Sequence, residues 1–278
     1  MNWSKAKTIL IIFFICTNLF LLLTITMSAG RTSIVTDDIA ASTIAILKNN
    51  RIYIDSETIP RKTHSIPMMK VKNFVSEYET FAKTFAGENA VLTDNNAYSG
   101  SRGTIRFEGD YFEFVAAEGT FSEETKRLSA ASAVQVANDI MKKLGFSDSN
   151  AVCSVSVDND KTTAKFTRKK DSLCYFNSDI TLVMTSSGLE KIYGTWFLDE
   201  SALPDKVVMK SVTGVLIDYI SLTNRPTVDE KITSLDLGYA ILEDGIYHKE
   251  AVMTPCWRIT LDNGETYVLN AADTKNAE

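Results

Sequence analysis

The chain has 278 residues, 45% hydrophobic and 23% charged, with 29 Lys+Arg against 35 Asp+Glu and a formal net charge of −6 at neutral pH. This is the composition of a folded protein rather than a disordered one, and the length allows one large domain or two smaller ones. With Lys5 and Lys7 at the extreme N-terminus set aside, 27 basic side chains face 35 acidic ones, a surplus that repels polyphosphates and excludes nucleic acid and anionic lipid head groups as partners.

From Thr8 to Gly30 the sequence runs 23 residues without a charge, dense in Ile, Leu and Phe. At ~1.5 Å per residue such a helix spans roughly 35 Å, enough for the hydrocarbon core of a bilayer, so residues 8–30 are expected to form a transmembrane helix. Lys5 and Lys7 precede the run and no acidic residue occurs before Asp37. The positive-inside bias then keeps residues 1–7 in the cytoplasm and puts the chain from Arg31 onward outside the cell. A cleaved signal peptide begins in the same way, yet its apolar core needs only about 7 to 15 residues, so the length of the run argues for an uncut anchor. Within it, Phe14, Asn18, Leu22 and Ile25 fall on one helical stripe, with Thr17 beside it. An amide in hydrocarbon must find hydrogen-bond partners, and these five residues are the expected contact with a second membrane helix. The plainer alternative is that Thr17 and Asn18 bond their own helix.

Asp37 to Asn50 reads as the first helix beyond the membrane, capped by Asp37 or Asp38 and carrying Ile39, Thr43, Ile46 and Leu47 at helical spacing. Residues 51–54 alternate like a strand, and residues 65–71 read as an extended edge piece because of Pro67. Phe74, Tyr78, Phe81 and Phe85 recur at helical intervals, and residues 93–103, rich in Asn, Ser and Gly, read as a loop. A hairpin is expected over residues 104–107 and 111–115, turning at Glu108-Gly109-Asp110. Ser129 opens the clearest helix, with Ala133, Val136, Ala137, Ile140, Met141 and Leu144 on one face and Gly145 at its end. Strands follow over residues 152–157, 161–168 continuing to 176, 180–184 and 189–197. Pro204 is expected to open a helix in which Val208, Val212, Val215, Tyr219 and Leu222 share a face, with Pro226 marking its exit. The chain closes on strands 235–242, 256–261 and 266–270, the last two joined at Asp262-Asn263-Gly264-Glu265. Helix followed by antiparallel strands, given twice, predicts an α+β fold of two related units, residues 31–128 and 129–278. A short echo between residues 105–117 and 258–272 agrees with duplication.

No catalytic pattern emerges. His64 and His248 have no zinc-binding spacing, no serine stands in a nucleophile elbow or an S-x-x-K pattern, and the pairs Asp158/Asp160 and Glu123/Glu124 read as solvated turns and helix starts. Neither metal nor cofactor is expected. Outside the apolar run stand Cys153, Cys174 and Cys256, an odd number without C-x-x-C spacing, so a disulfide framework is not indicated and a Cys153–Cys174 bridge stays open. Trp196, Trp257 and Tyr239 read as core residues; exposed Trp196 and Phe197 would instead mark a partner-binding patch.

The opening Asn2-Trp3-Ser4-Lys5-Ala6-Lys7-Thr8-Ile9, continuing to Asn18-Leu19-Phe20-Leu21, resembles the start of the YycI family, where a Trp-x-Lys-x-Lys-Thr-Ile pattern leads into a single membrane helix with a central Asn. Leu235-Asp-Leu-Gly-Tyr239, Pro255-Cys-Trp-Arg-Ile259 and Tyr267-Val-Leu-Asn-Ala271 are similar to the C-terminal part of YycI and its relative YycH, and more loosely to PepSY-type modules. The resemblance implies a single-pass cell-membrane protein with an extracytoplasmic domain, a non-enzymatic regulator of the WalK (YycG) sensor histidine kinase in cell-wall metabolism of Gram-positive bacteria. Its implied partners are a YycH-like protein, met through the ectodomain, and the kinase, met through the membrane helix. The resemblance leaves the sign of regulation open. The alternative is a cell-surface module that binds peptidoglycan or a propeptide.

Overall fold

The computed structural model describes residues 7, 11–20, 33–75, 77–94, 96–158, 160–222, 228–242 and 249–272. Helix α1 covers residues 11–20. The rest of the expected membrane span, residues 8–10 and 21–30, lies outside the described residues, as do His248 and Pro226. Among the described residues no helix is long and apolar enough to cross a membrane. The remainder is α+β, rich in strands and with few helices, and divides into two units. They are not the sequential halves expected. Unit 1 gathers residues 1–67, 204–235 and 259–278, and unit 2 gathers residues 68–203 and 236–258, so the expected boundary after residue 128 falls inside unit 2.

Unit 1 is built on two helices. α2 (Asp37–Asn49) is capped by Thr36 and not by the expected Asp37 or Asp38: the Thr36 hydroxyl accepts the Ile39 N–H at 3.4 Å, while Asp37 and Asp38 in the first turn and Lys48 in the last complement the helix dipole. It buries Ala40, Thr43 and Leu47. α6 (Val212–Ile220) starts at the Ser211 cap and buries Val212, Val215, Leu216 and Tyr219. The expected start at Pro204 does not hold: Pro204 lies in strand β13 (Phe197–Lys206), and the helix waits for a side chain able to satisfy its first N–H groups, which Ser211 does by accepting from Gly214 at 3.2 Å. Strand β2 (Ile52–Ile54) runs parallel to the first residues of β14 (Glu230–Ala240), with Ile52 opposite Glu230. The short β1 (Ser33–Ile34) pairs with β3 (Lys62–Thr63). The end of β15 (Glu250–Leu261) turns at residues 262–265 into β16 (Thr266–Asn270), as expected, with Gly264 at φ 86° and the Asn263 side chain accepting the Glu265 N–H at 2.9 Å.

Unit 2 is an antiparallel succession covered by helices. In spatial order it runs β9 (Ala151–Asp158), β10 (Lys161–Lys170), β11 (Leu173–Thr185), β12 (Gly188–Thr195), β8 (Tyr111–Ala116), β7 (Gly103–Glu108), β6 (Ala97–Gly100) and β5 (Val91–Asp94). Strict alternation assigns the faces. Ile105, Phe112, Phe114, Ala164, Phe166, Ile180 and Leu182 are buried, whereas Lys161, Lys165, Asp179, Lys191 and Glu113 project from the other side, where Lys165–Asp179 (2.5 Å) and Lys161–Glu190 (2.8 Å) pair across strands. Onto the apolar face pack α3 (Tyr78–Ala86), through Phe81 and Phe85, and α5 (Ala133–Lys143), through Val136, Ile140 and Met141; a short α4 (Ser122–Thr125) lies before α5. Phe81 stacks on Phe85 at 4.5 Å and meets Phe112 edge-on at 5.1 Å. Each buried phenyl contributes about 1.5–3 kcal/mol relative to exposure, so this cluster is the main source of cohesion in the unit. Cys174 and Tyr175 of β11 pair in parallel with Gly238 and Tyr239 of β14, and β15 pairs with β4 (Pro67–Asn73), with Glu250 opposite Lys72.

Two expectations in this unit are corrected. The loop predicted over residues 93–103 holds parts of β5, β6 and β7, because a margin strand with one wet face needs no hydrophobic run. The strand predicted to continue from Arg168 to Phe176 instead reverses at Asp171-Ser172, both at positive φ (50° and 70°), a hairpin turn made without the usual Gly or Asn.

Candidate functional site

On α1, Phe14 and Asn18 lie one turn apart with Thr17 alongside, and all three side chains are exposed. The Thr17 hydroxyl donates to the Phe13 carbonyl at 2.9 Å, and the Asn18 amide donates to the Phe14 carbonyl at 2.8 Å. The plainer alternative therefore describes the chain by itself. It uses one of the two Asn18 N–H groups; the other N–H and the amide oxygen can serve a neighbouring helix. Leu22 and Ile25, the other residues of the expected stripe, lie outside the described residues.

Trp196 and Phe197 form no surface patch. They are 0% and 1% exposed, and this corrects the expectation that they meet a partner. Trp196 stands at the junction of β12 and β13, edge-on to Phe146 at 4.9 Å, and the Phe197 N–H donates to Ser178 Oγ at 3.0 Å.

Trp196 leads instead to a polar cluster that the sequence reading missed. Its indole N–H donates to Asp148 Oδ2 (3.1 Å), which also receives Arg168 Nε (2.8 Å). Arg168 Nη1 reaches Asp199 Oδ1 at 2.5 Å, Lys170 Nζ reaches Asp199 Oδ2 at 2.8 Å, and the Tyr175 hydroxyl donates to Asp199 Oδ1 at 2.6 Å. The guanidinium lies 4.8 Å from the Tyr175 ring centroid, and Tyr175 meets Tyr239 edge-on at 5.3 Å. One signal was available in the sequence: Thr162, Ala164, Phe166 and Arg168 alternate on one face of β10, so the arginine occupies a core position and requires buried carboxylates.

The electrostatics follow from this packing. Burial opposes the Asp199 charge, but hydrogen bonds from Arg168, Lys170 and Tyr175 outweigh it and hold the carboxyl down at about 2. Burial, then the bond to Asp199, pushes the Tyr175 hydroxyl far up; burial and the Asp199 charge push Tyr239 up to about 12. Two cations thus face two anions, and the phenols stay protonated at neutral pH. No member of the cluster is left as a free base or nucleophile, so its chemistry is that of a clamp joining β10, β11, β13 and the residue-148 turn.

Of the acidic pairs read as solvated, Glu123/Glu124 is engaged with lysines, Glu123 with Lys126 and Glu124, which is buried, with Lys143. Asp158 ends β9 at the turn to β10. Cys153, Cys174 and Cys256 carry free thiols; burial pushes Cys153 up to about 11, which keeps it protonated. Among the described residues no three His, Cys, Asp or Glu side chains are grouped to hold a metal. The hollows are open ones. In unit 1 a groove of about 410 Å³ runs between α2 and α6, lined by Ile39, Thr43, Ile46, Ser211 and Ile217; in unit 2 a hollow of about 330 Å³ is lined by the charged side chains of Glu124, Arg127, Asp139, Lys142 and Lys143.

No protein-family model matches the chain, and no curated protein matches it in sequence. Solved structures similar to it include an uncharacterized protein from Eubacterium rectale ATCC 33656, at 11% identity over 86% of this chain and 89% of that one, with a TM-score of 0.45. Another is the Bacillus megaterium YpeB C-terminal domain, at 12% identity over 71% of this chain and 92% of that one, with a TM-score of 0.32.

Proposed function

We propose that this protein is a membrane-anchored, non-enzymatic regulator of a WalK (YycG)-type sensor histidine kinase, acting with a YycH-like protein to modulate cell-wall metabolism. The observation that carries the reading is the uncharged run from Thr8 to Gly30 behind Lys5 and Lys7, with Asn18 near its middle. The YycI-like patterns at both ends of the chain support it. On this reading the N-terminus is cytoplasmic, the two α+β units are extracytoplasmic, and influence passes by contact. The Phe14–Asn18 face of α1 packs against a kinase membrane helix, where Asn18 exchanges its bond to Phe14 for one across the interface or adds a second.

Interhelical hydrogen bonds in a bilayer contribute about 0.6–2 kcal/mol. Asn18→Leu is therefore expected to lower kinase recovered with the full-length chain from solubilised membranes by about three- to thirtyfold, at unchanged expression. Undiminished recovery would remove the helix-contact mechanism. A full-length chain found in the soluble fraction would remove the anchor itself, and saturable muropeptide binding without kinase association would favour the ligand-binding alternative.

A further inference from the structure

A strand at a sheet margin presents unpaired backbone groups, which proteins protect by shortness, bulges, proline or charge. Among the described strands, β5 has four residues and a register shift between Leu92 and Asp94, β2 has three residues, and β13 contains Pro204. β9 has none of these devices. It runs eight residues in unbroken register with β10, pairs with no other described strand, and carries no proline and no charge before its last residue. Val152 and Val157 on it are 47% and 53% exposed.

We propose that a second copy of this chain adds to β9, antiparallel and centred on Ser154. The residues opposite the core-facing Thr162, Ala164, Phe166 and Arg168 of β10 are Val157, Val155, Cys153 and Ala151. Pairing about Ser154 sets Ala151 against Val157 and Cys153 against Val155, so the apolar face continues across the junction, since opposed residues of an antiparallel pair project to the same side. On the other face Val152 meets Ser156, Ser154 meets itself and Asp158 meets Asn150. No like charges oppose. Asp158 of the second copy also comes beside the exposed Lys169, whose backbone N–H bonds the Asn150 carbonyl at 2.9 Å. A junction of one strand pair is smaller than the ~1,200–2,000 Å² of a stable interface, so association is weak in dilute solution. It becomes effective where copies are concentrated in one membrane, a gain that rests on the anchored reading above.

The test uses the full-length chain in membranes, with Cys16→Ser, Cys153→Ala and Cys174→Ser as background and fractionation reporting the anchor separately. Under mild oxidant, Ser154→Cys is expected to give a reducible homodimer, because opposed Cα atoms ~4.5–5.5 Å apart lie within disulfide range. Ser156→Cys, opposite Val152, should give roughly tenfold less. Adding Val157→Lys to the Ser154→Cys chain should cut its yield about fivefold by placing a charge on the apolar face. Absence of the homodimer, equal yields at positions 154 and 156, or linkage of the Ser154→Cys chain to a different protein would overturn the proposal.

Discussion

Arg168→Met removes the one guanidinium that both Asp148 and Asp199 share. The side chains of Arg168, Asp148 and Asp199 are 4%, 8% and 16% exposed, so little water can replace it. Removing one partner of a buried pair costs ~3–5 kcal/mol, mostly from the charge left behind. Asp199 retains Lys170 and Tyr175, and Asp148 retains the Trp196 indole N–H and the Asn150 backbone N–H, which sets the expected loss near the lower end, about 3 kcal/mol. With a urea dependence of about 3 kcal/mol per M, the unfolding midpoint of the full chain in detergent, followed by indole emission, falls by about 1 M. Making the cluster neutral again with Arg168→Met and Asp148→Asn together, which leaves Lys170 opposite Asp199, should lose less than the single change, since no uncompensated charge remains. The same clamp sets an acid limit. Asp199 is held at about 2 against an ordinary 3.8, so the folded state binds fewer protons than the unfolded one in this range. Its contribution of about 2 kcal/mol is complete above pH 4 and disappears as pH falls toward 2, and Asp199→Asn should remove that slope. A midpoint unmoved by Arg168→Met, or an Arg168→Met/Asp148→Asn double variant weaker than the single one, would refute the clamp.

Gly194→Ala should destabilise unit 2 by about 3 kcal/mol or more in the same urea titration: its Cβ would stand 2.1 Å from the Asp179 carbonyl oxygen on the neighbouring strand, at φ 145°. Tyr219→Phe, which removes the 2.6 Å bond to the buried Glu230 carboxylate, should cost about 1–3 kcal/mol in unit 1, and a loss below about 0.5 kcal/mol would show that the bond adds nothing. Cys153, with its thiol near 11, should alkylate at pH 8 roughly a hundredfold more slowly than an unperturbed cysteine, and ordinary reactivity in the native protein would contradict its burial.

The elements legible in the sequence were those whose local chemistry and burial agree. Asp37 and Asp38 announce α2, the apolar face from Ala133 to Leu144 announces α5, and Glu108-Gly109-Asp110 and Asp262-Asn263-Gly264-Glu265 announce their hairpins. Misread elements were those where tertiary context overrides composition. Asp171 and Ser172 accept left-handed backbone because the strands on either side pair, Pro204 is carried within a strand, and Val91–Asp94 is held by β6 alone. The duplication echo fell on two true hairpins, β7–β8 and β15–β16, while the grouping of segments into units, which depends on distant pairing such as β2 with β14, left no local signature. The Arg168 cluster was harder to see because its members are far apart in sequence and only Arg168 breaks an alternation.

The discontinuity of unit 1 imposes an order on its assembly. A ribosome delivers residues 33–67 early, yet β2 has its partner only once Glu230–Ile232 have been made, and α2 packs against a helix that begins at Val212. Unit 2, closed by the stretch up to Arg258, is complete before the last segment of unit 1 has been synthesised. The part of the fold that follows α1 most closely in sequence is thus the last to be finished. A stop codon shortly before position 259, which removes β16 and its contact with α6, should loosen unit 1 to proteases while sparing the Phe81–Phe112 core.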